Sequence, residues 1–248
     1  MQPITTINSI EVSSLCNNTC PYCPAPFQKK FREVGNMTME IFEKAIEWVA
    51  HFCKQGTQRE LNLFGIGEPT LNPDLAEMVR FARNRLPIRQ IIHTNTNGKL
   101  MTEGLARKLR DAGITAIDIT YHGDPRITAR TIEIFRKLGI DGRLTVDPVT
   151  RPNNWAGQVD WFDSPVTYPC PWLHQGQVMV YSDGDVTTCC LDAAKKGMVG
   201  NIFDDITKFS LEPYELCHKC HQIVPENMQI IKTDLNVEYK VMRHTAGY

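Results

Sequence analysis

The chain has 248 residues, of which 42 % are hydrophobic, enough to bury a core and too many for a disordered chain. Its 27 basic and 28 acidic side chains leave a formal net charge of −1, so no basic bias advertises a nucleic-acid partner. No apolar run reaches the length of a membrane span and no signal peptide is legible, so the nine cysteines read as metal-binding or chemical thiols of a cytoplasmic protein, not as disulfides.

Strands and helices alternate over the first 147 residues. Ile4 to Ser13 reads as a first strand. Thr38 caps a helix whose Phe42, Ile46, Val49 and Cys53 share one face, which makes Cys53 a core residue. Leu61 to Gly65 is a second strand. Asn72-Pro73-Asp74 predicts a cap with Pro at the first helical position, opening a helix through Leu86. Gln90 to Asn95 is a third strand, and Thr102 caps a helix that stops at Gly113. Ala116 to Thr120 is a fourth strand, Ile127 to Leu138 a helix ending at Gly139, and Gly142 to Val146 a fifth strand. The alternation predicts an α/β fold, a partial (β/α) TIM-like barrel of about five or six units, with functional loops at the carboxyl ends of the strands.

The pattern changes near residue 148. Pro148, Pro152, Pro165, Pro169 and Pro171 break regular structure. Gln177 to Ser182 and Asp185 to Cys189, joined by Asp183-Gly184, read as a β-hairpin. A boundary within 150 to 168 separates a barrel at residues 1–150 from a small cysteine-bearing region at 151–248.

Cys16, Cys20 and Cys23 have the spacing C-x3-C-x2-C. Three thiolates within eight residues can wrap a cubane cluster, which ordinarily takes four cysteines; three leave one iron open for a cofactor or substrate. Zinc would want a fourth Cys or His nearby, and none follows within about twenty-five residues. With Tyr22 in its aromatic slot, this motif after a first strand resembles the signature of the radical S-adenosylmethionine (radical SAM) superfamily. Gly65-Ile66-Gly67-Glu68-Pro69 resembles the family's G-G-E-P motif, departing from it by Ile66 between the glycines. Asn95-Thr96-Asn97-Gly98 resembles its T-N-G stretch. The resemblance implies that the open iron chelates S-adenosylmethionine, that one-electron reduction yields a deoxyadenosyl radical, and that Gly65, Gly67, Glu68 and Pro69 surround the methionyl amino group. Glycine lets backbone approach the cofactor and a carboxylate attracts an ammonium. Asn97, Thr120 and Arg143 stand where relatives place cofactor contacts, the last two against ribose and carboxylate; Arg143 reads equally as a solvated edge residue. His122, at the mouth after the fourth strand, is a substrate contact or a structural histidine.

Cys217 and Cys220 form a C-x2-C corner, and Cys170 and Cys189 bring the second set to four soft ligands. The phrasing around Asp183-Gly184 and Gly200-Asn201-Ile202 resembles the "twitch" appendage, the short SPASM domain. It implies an auxiliary [4Fe–4S] cluster and a layout similar to that of the radical SAM aminocyclitol dehydrogenases; zinc is the rival metal. Cys190 points to the opposite strand face from Cys189 and reads as a packed thiol, and His218 and His221 as surface residues. The cofactors expected are thus two [4Fe–4S] clusters and S-adenosylmethionine. The expected substrate is a small molecule, nucleotide or peptide, and the reductant a flavodoxin- or ferredoxin-type protein. The expected reaction is hydrogen abstraction ending in a two-electron oxidation, against a redox-neutral isomerisation or a peptide-modifying role. The rival class is a non-catalytic electron-transfer or zinc-binding module.

Overall fold

The computed structural model describes residues 2–58, 60–145, 155–159, 168–220 and 222–223. The first barrel strand is β1, Thr6–Ile10. It is followed by α1 (Met39–Gln55), β2 (Glu60–Asn62), α2 (Leu75–Arg85), β3 (Ile91–Thr96), α3 (Glu103–Ala112), β4 (Ala116–Thr120), α4 (Pro125–Leu138) and β5 (Asp141–Thr145). Beyond residue 168 come α5 (Pro171–Gln175), β6 (Gln177–Val180), β7 (Asp185–Thr187) and β8 (Met198–Asn201).

These strands form one eight-stranded sheet in the order β8-β7-β6-β1-β2-β3-β4-β5. The six strands from β6 through β1 to β5 run parallel, with β7 and β8 added antiparallel at one edge. A mostly parallel sheet with helices along it is the partial barrel that the alternation predicts. The cysteine-bearing region is not a detached layer: Ile7 and Ile10 pair with Val178 and Val180 across the β1–β6 junction. Trp48 Nε1 on α1 donates to Ile202 O at 3.1 Å, and one contiguous core runs from Phe42 to Tyr181 and Ile202. Each such large apolar side chain removed from water contributes about 1.5–3 kcal/mol.

Local chemistry explains the element ends. Thr38 Oγ1 accepts from Ile41 N, and Thr102 Oγ1 from Leu105 N, satisfying amides that the first helical turns leave open. The predicted start of α2 is corrected. Regular helix begins at Leu75, beyond Pro73, while Asn72 keeps its capping contact: its Oδ1 accepts from Asp74 N at 2.9 Å as its buried Nδ2 donates to Val12 O and Met37 O. Pro125, not Ile127, opens α4, because Asp124 accepts from Arg126 N at 2.9 Å. The first strand is shorter than Ile4 to Ser13, and Gln2–Pro3 pairs instead with Ser210–Leu211. The second strand ends at Asn62, freeing Leu63 to Gly65 for the loop beyond it. β7 ends at Thr187, before Cys189. Val146, Pro148, Pro152 and Pro165 lie outside the described residues. Among the described residues no helix is long and apolar enough to cross a membrane.

Candidate functional site

The carboxyl ends of β1 to β4 open onto one pocket, where the three sequence motifs meet. Cys16, Cys20 and Cys23 line it together with Gly65–Pro69 and Asn95–Asn97. Tyr22, Thr120 and His122 also line it.

The loop after β1 presents its sulfurs to backbone donors. Cys16 Sγ accepts from Asn18 N at 3.4 Å, and Cys23 Sγ from Ala25 N at 3.5 Å. Burial raises both thiols, Cys23 up to about 12, while these N–H groups work in the opposite direction. A desolvated thiol with an amide aimed at its sulfur suits a metal-bound thiolate. Cys20 Sγ lies 3.5 Å from His122 Nδ1, which is 2.9 Å from Tyr22 Oη; the Tyr22 and His122 rings stack with an interplanar angle of 6°. Asn18 Nδ2, also at the pocket, is buried and has no hydrogen-bond partner among the described residues. An unpaired buried donor beside three thiols fits a pocket that takes a polar cofactor against a cluster. Sequence reasoning passed over Asn18, since nothing in an Asn-Asn pair marks which side chain is buried.

The glycines of the second motif line the pocket and also let their loop pack tightly. A Cβ on Gly65 would stand 2.7 Å from Glu11 Cβ and Cγ, and one on Gly67 would penetrate the Ser13 carbonyl oxygen. Both therefore let the loop close onto the end of β1. Glu68 is likewise engaged within the protein. Its Oε1 accepts from Thr70 N and Thr96 Oγ1, and its Oε2 from Asn97 N at 2.8 Å. This buried carboxylate ties the second motif to the third, and Asn97 Nδ2 carries the tie onward to Asn17 Oδ1 at 2.7 Å. Pro69 opens the short 3-10 turn that follows. Thr120 Oγ1 donates to Asn95 Oδ1 at 2.9 Å. Arg143 lies on β5 opposite Asp118, with its side chain outside what is described.

A buried ion pair that the sequence did not disclose sits beneath this loop. Arg32 bonds Glu11 through both nitrogens, at 2.6 and 2.8 Å, and both side chains are sealed from solvent. Burial opposes the Arg32 charge, but the Glu11 bonds outweigh it and hold the guanidinium above its ordinary range. Glu11 Oε1 also accepts from Ile66 N at 3.0 Å, while Arg32 stacks over the Tyr181 ring at 4.6 Å. One pair thus joins the cysteine loop, the glycine loop and the C-terminal hairpin.

Cys170, Cys189, Cys217 and Cys220 line a second pocket, with Ala156, Leu173, Thr188, Tyr214 and Leu216. Burial pushes the Cys170 thiol up to about 12. A bond from Cys190, then burial, raises Cys189 further, and Leu191 N donates to its Sγ at 3.3 Å. Cys190 packs against the main core and is not among the pocket's walls. Cys53 also packs there, its Sγ donating to Gln90 Oε1 at 3.3 Å. The His218 side chain and His221 lie outside the described residues. Among the described residues no three His, Cys, Asp or Glu side chains converge on a single ion. A cubane asks for less convergence, because each thiolate binds its own iron.

The two pockets share a wall. Trp155 lines the first and Ala156 the second. Gln158 fastens this segment to the loop carrying Cys189, donating to Leu191 O at 2.7 Å and accepting from Ala193 N at 3.1 Å. Trp155 was invisible in the sequence, where it stands among prolines without a motif.

Comparison with known proteins agrees with this geometry. The chain is 30 % identical over 123 residues to the S-adenosyl-L-methionine-dependent 2-deoxy-scyllo-inosamine dehydrogenase of Niallia circulans, covering 49 % of this chain and 47 % of that protein. It is 28 % identical over 164 residues to the 7,8-dihydro-6-hydroxymethylpterin dimethyltransferase of Methanocaldococcus jannaschii, covering 60 % of this chain and 31 % of that one. The matches thus span 31 % and 47 % of these relatives' lengths, less than half of each. The fold is similar to that of BtrN in complex with AdoMet and 2-DOIA, with a TM-score of 0.68 and 24 % identity over 84 % of this chain and 85 % of the other. The family model of the radical SAM superfamily matches residues 10–152. The chain therefore belongs to the radical SAM superfamily, which implies S-adenosylmethionine and a [4Fe–4S] cluster as its cofactors.

Proposed function

We propose that this chain reductively cleaves S-adenosylmethionine and abstracts hydrogen from a small-molecule or nucleotide substrate, in a two-electron oxidation assisted by an auxiliary [4Fe–4S] cluster. The shared wall carries this reading: two thiol-lined pockets stand back to back across Trp155 and Ala156. Cys16, Cys20 and Cys23 would hold the catalytic cluster with one iron open. Cys170, Cys189, Cys217 and Cys220 would hold the auxiliary one with none open. When bound, the cofactor supplies a carbon-centred radical able to take a hydrogen atom, and a fully ligated second cluster supplies an acceptor for the substrate's remaining electron.

The chain's own residues confine that chemistry. Asn18 offers a donor to the cofactor, and the Glu68 bonds fix Thr96 and Asn97 at its border. Trp155 closes the side toward the auxiliary thiols and excludes water there. The dehydrogenase named above supports oxidation as the outcome. Electrons would enter from a flavodoxin- or ferredoxin-type protein.

Anaerobically reconstituted protein should carry about eight irons and release 5′-deoxyadenosine with dithionite. With its substrate, it should give a product two hydrogens lighter for each cofactor consumed. A product of unchanged mass would replace oxidation by a redox-neutral rearrangement. A colourless zinc protein without cofactor cleavage would overturn the proposal entirely.

A further inference from the structure

We propose that the Tyr214 hydroxyl donates a hydrogen bond to the iron–sulfur group held by Cys170, Cys189, Cys217 and Cys220 and raises its reduction potential. The inference rests on the auxiliary cluster proposed above and adds the residue that tunes it.

Tyr214 lines the same pocket as the four cysteines. Its Oη is buried and has no hydrogen-bond partner among the described residues. A buried hydroxyl left unpaired is unfavourable, and native structures rarely retain one without a ligand to explain it. A neutral phenol carries an O–H and is a donor.

The ring is seated on a built floor. A Cβ on Gly197 would lie 2.6 Å from Tyr214 Cε1, so only glycine leaves room for the ring. Gly197 is itself pinned: its N–H donates to Asp192 Oδ2 at 2.7 Å, and its carbonyl accepts from the Thr187 and Thr188 hydroxyls, each at 3.2 Å. Among the described residues that line the pocket, no side chain accepts from the Tyr214 hydroxyl. Ala156, Leu173 and Leu216 are apolar, and the Thr188 hydroxyl is directed at Gly197. What the pocket does offer is sulfur. Thiolates and cluster sulfides carry negative charge and accept hydrogen bonds, while a neutral thiol is a weak acceptor. A bond to those sulfurs favours the reduced, more negative state of the group and so raises its potential.

Tyr214→Phe keeps the ring and removes only the hydroxyl. In the full-length reconstituted protein, an EPR-monitored redox titration should find the auxiliary cluster harder to reduce. The expected effect is about tenfold in its reduced-to-oxidised ratio at fixed potential, which is about 59 mV for one electron. The catalytic cluster serves as internal control and should keep its potential. Apoprotein carrying Tyr214→Phe should melt no lower than wild type, whereas cluster loading should raise the melting temperature of wild type more than that of the variant. A second cluster with the same potential in both proteins would overturn this inference alone. Wild-type protein that takes up only one cluster's worth of iron would overturn the auxiliary cluster, and this inference with it.

Discussion

The indole Nε1 of Trp155 donates to the carbonyl oxygen of Tyr22 at 3.0 Å across 133 positions of sequence. Tyr22 stands between Cys20 and Cys23, so this bond fastens the shared wall to the first cysteine loop. Trp155 and Ala156 have φ angles of 52° and 55°, a left-handed conformation that side chains rarely adopt. Two such residues in succession store backbone strain where the two pockets meet.

Trp155→Phe keeps an aromatic wall but loses the donor. The expected loss of stability is about 1 kcal/mol, the net worth of one hydrogen bond. The larger effect should be on coupling, with a several-fold rise in 5′-deoxyadenosine released per product. Parallel quantification of both compounds in one turnover assay checks this.

The two cysteine sets should separate cleanly under substitution. Ala at Cys16, Cys20 and Cys23 together should remove about half the iron and all cofactor cleavage. Cys189→Ser should lose part of the iron, whereas Cys190→Ser should keep it, because Cys189 lines the second pocket and Cys190 does not. Iron analysis with Mössbauer spectra of the three variants decides the assignment.

Removing one partner of the Glu11–Arg32 pair leaves a buried charge without a counter-ion. Arg32→Ala should therefore cost about 3–5 kcal/mol in chemical denaturation of the apoprotein. Replacing both, as Glu11→Leu with Arg32→Met, should recover most of that loss, since apolar pairs of similar volume pack as well or better. Stability regained in this way should come without full S-adenosylmethionine affinity, because Ile66 N loses its acceptor. Equilibrium dialysis with the labelled cofactor measures that difference.

Gly67 and Gly35 make a matched contrast. A Cβ on Gly67 meets the backbone of Ser13, Ser14 and Leu15, which cannot yield as a side chain can, while a Cβ on Gly35 meets nothing within 4 Å. Gly67→Ala should abolish cofactor binding and lower the melting temperature by several degrees. Gly35→Ala should leave both unchanged.

Local signals were legible wherever the chemistry was local. Thr38 and Thr102 announce their helices because a hydroxyl three residues ahead of an amide is enough to cap it. The three motifs were legible as neighbours because each follows a parallel strand, and such strands deliver their loops to one end of the barrel. The failures involve distance along the chain. Asn72 caps the following turn through Oδ1 as its sequence suggests, but its Nδ2 also binds Val12 and Met37, which only the folded sheet brings near. Gly65 reads as a cofactor cradle, and nothing in the sequence shows that it also makes room for Glu11. Glu11 itself sits at the end of a strand without any sign that its partners are Arg32 and Ile66. Trp155 has no periodicity around it, so its place between two pockets is a property of the assembled molecule.

The parallel junction of β1 with β6 sets a timetable for synthesis. Thr5 N donates to Gly176 O at 2.9 Å, and 171 positions separate the two residues. At ribosomal rates of about 5–20 residues per second, β1 waits on the order of ten to thirty seconds for that neighbour. During this interval one whole edge of a central strand lacks its partner, and an unpaired edge invites other chains. Cys16, Cys20 and Cys23 emerge within the first moments, but the hairpin that Arg32 reaches through Tyr181 does not yet exist. Closure of the β1–β6 seam is consequently a late and slow event, as long-range strand pairing is in general. Until it happens, the two sets of thiols belong to separate stretches of nascent chain.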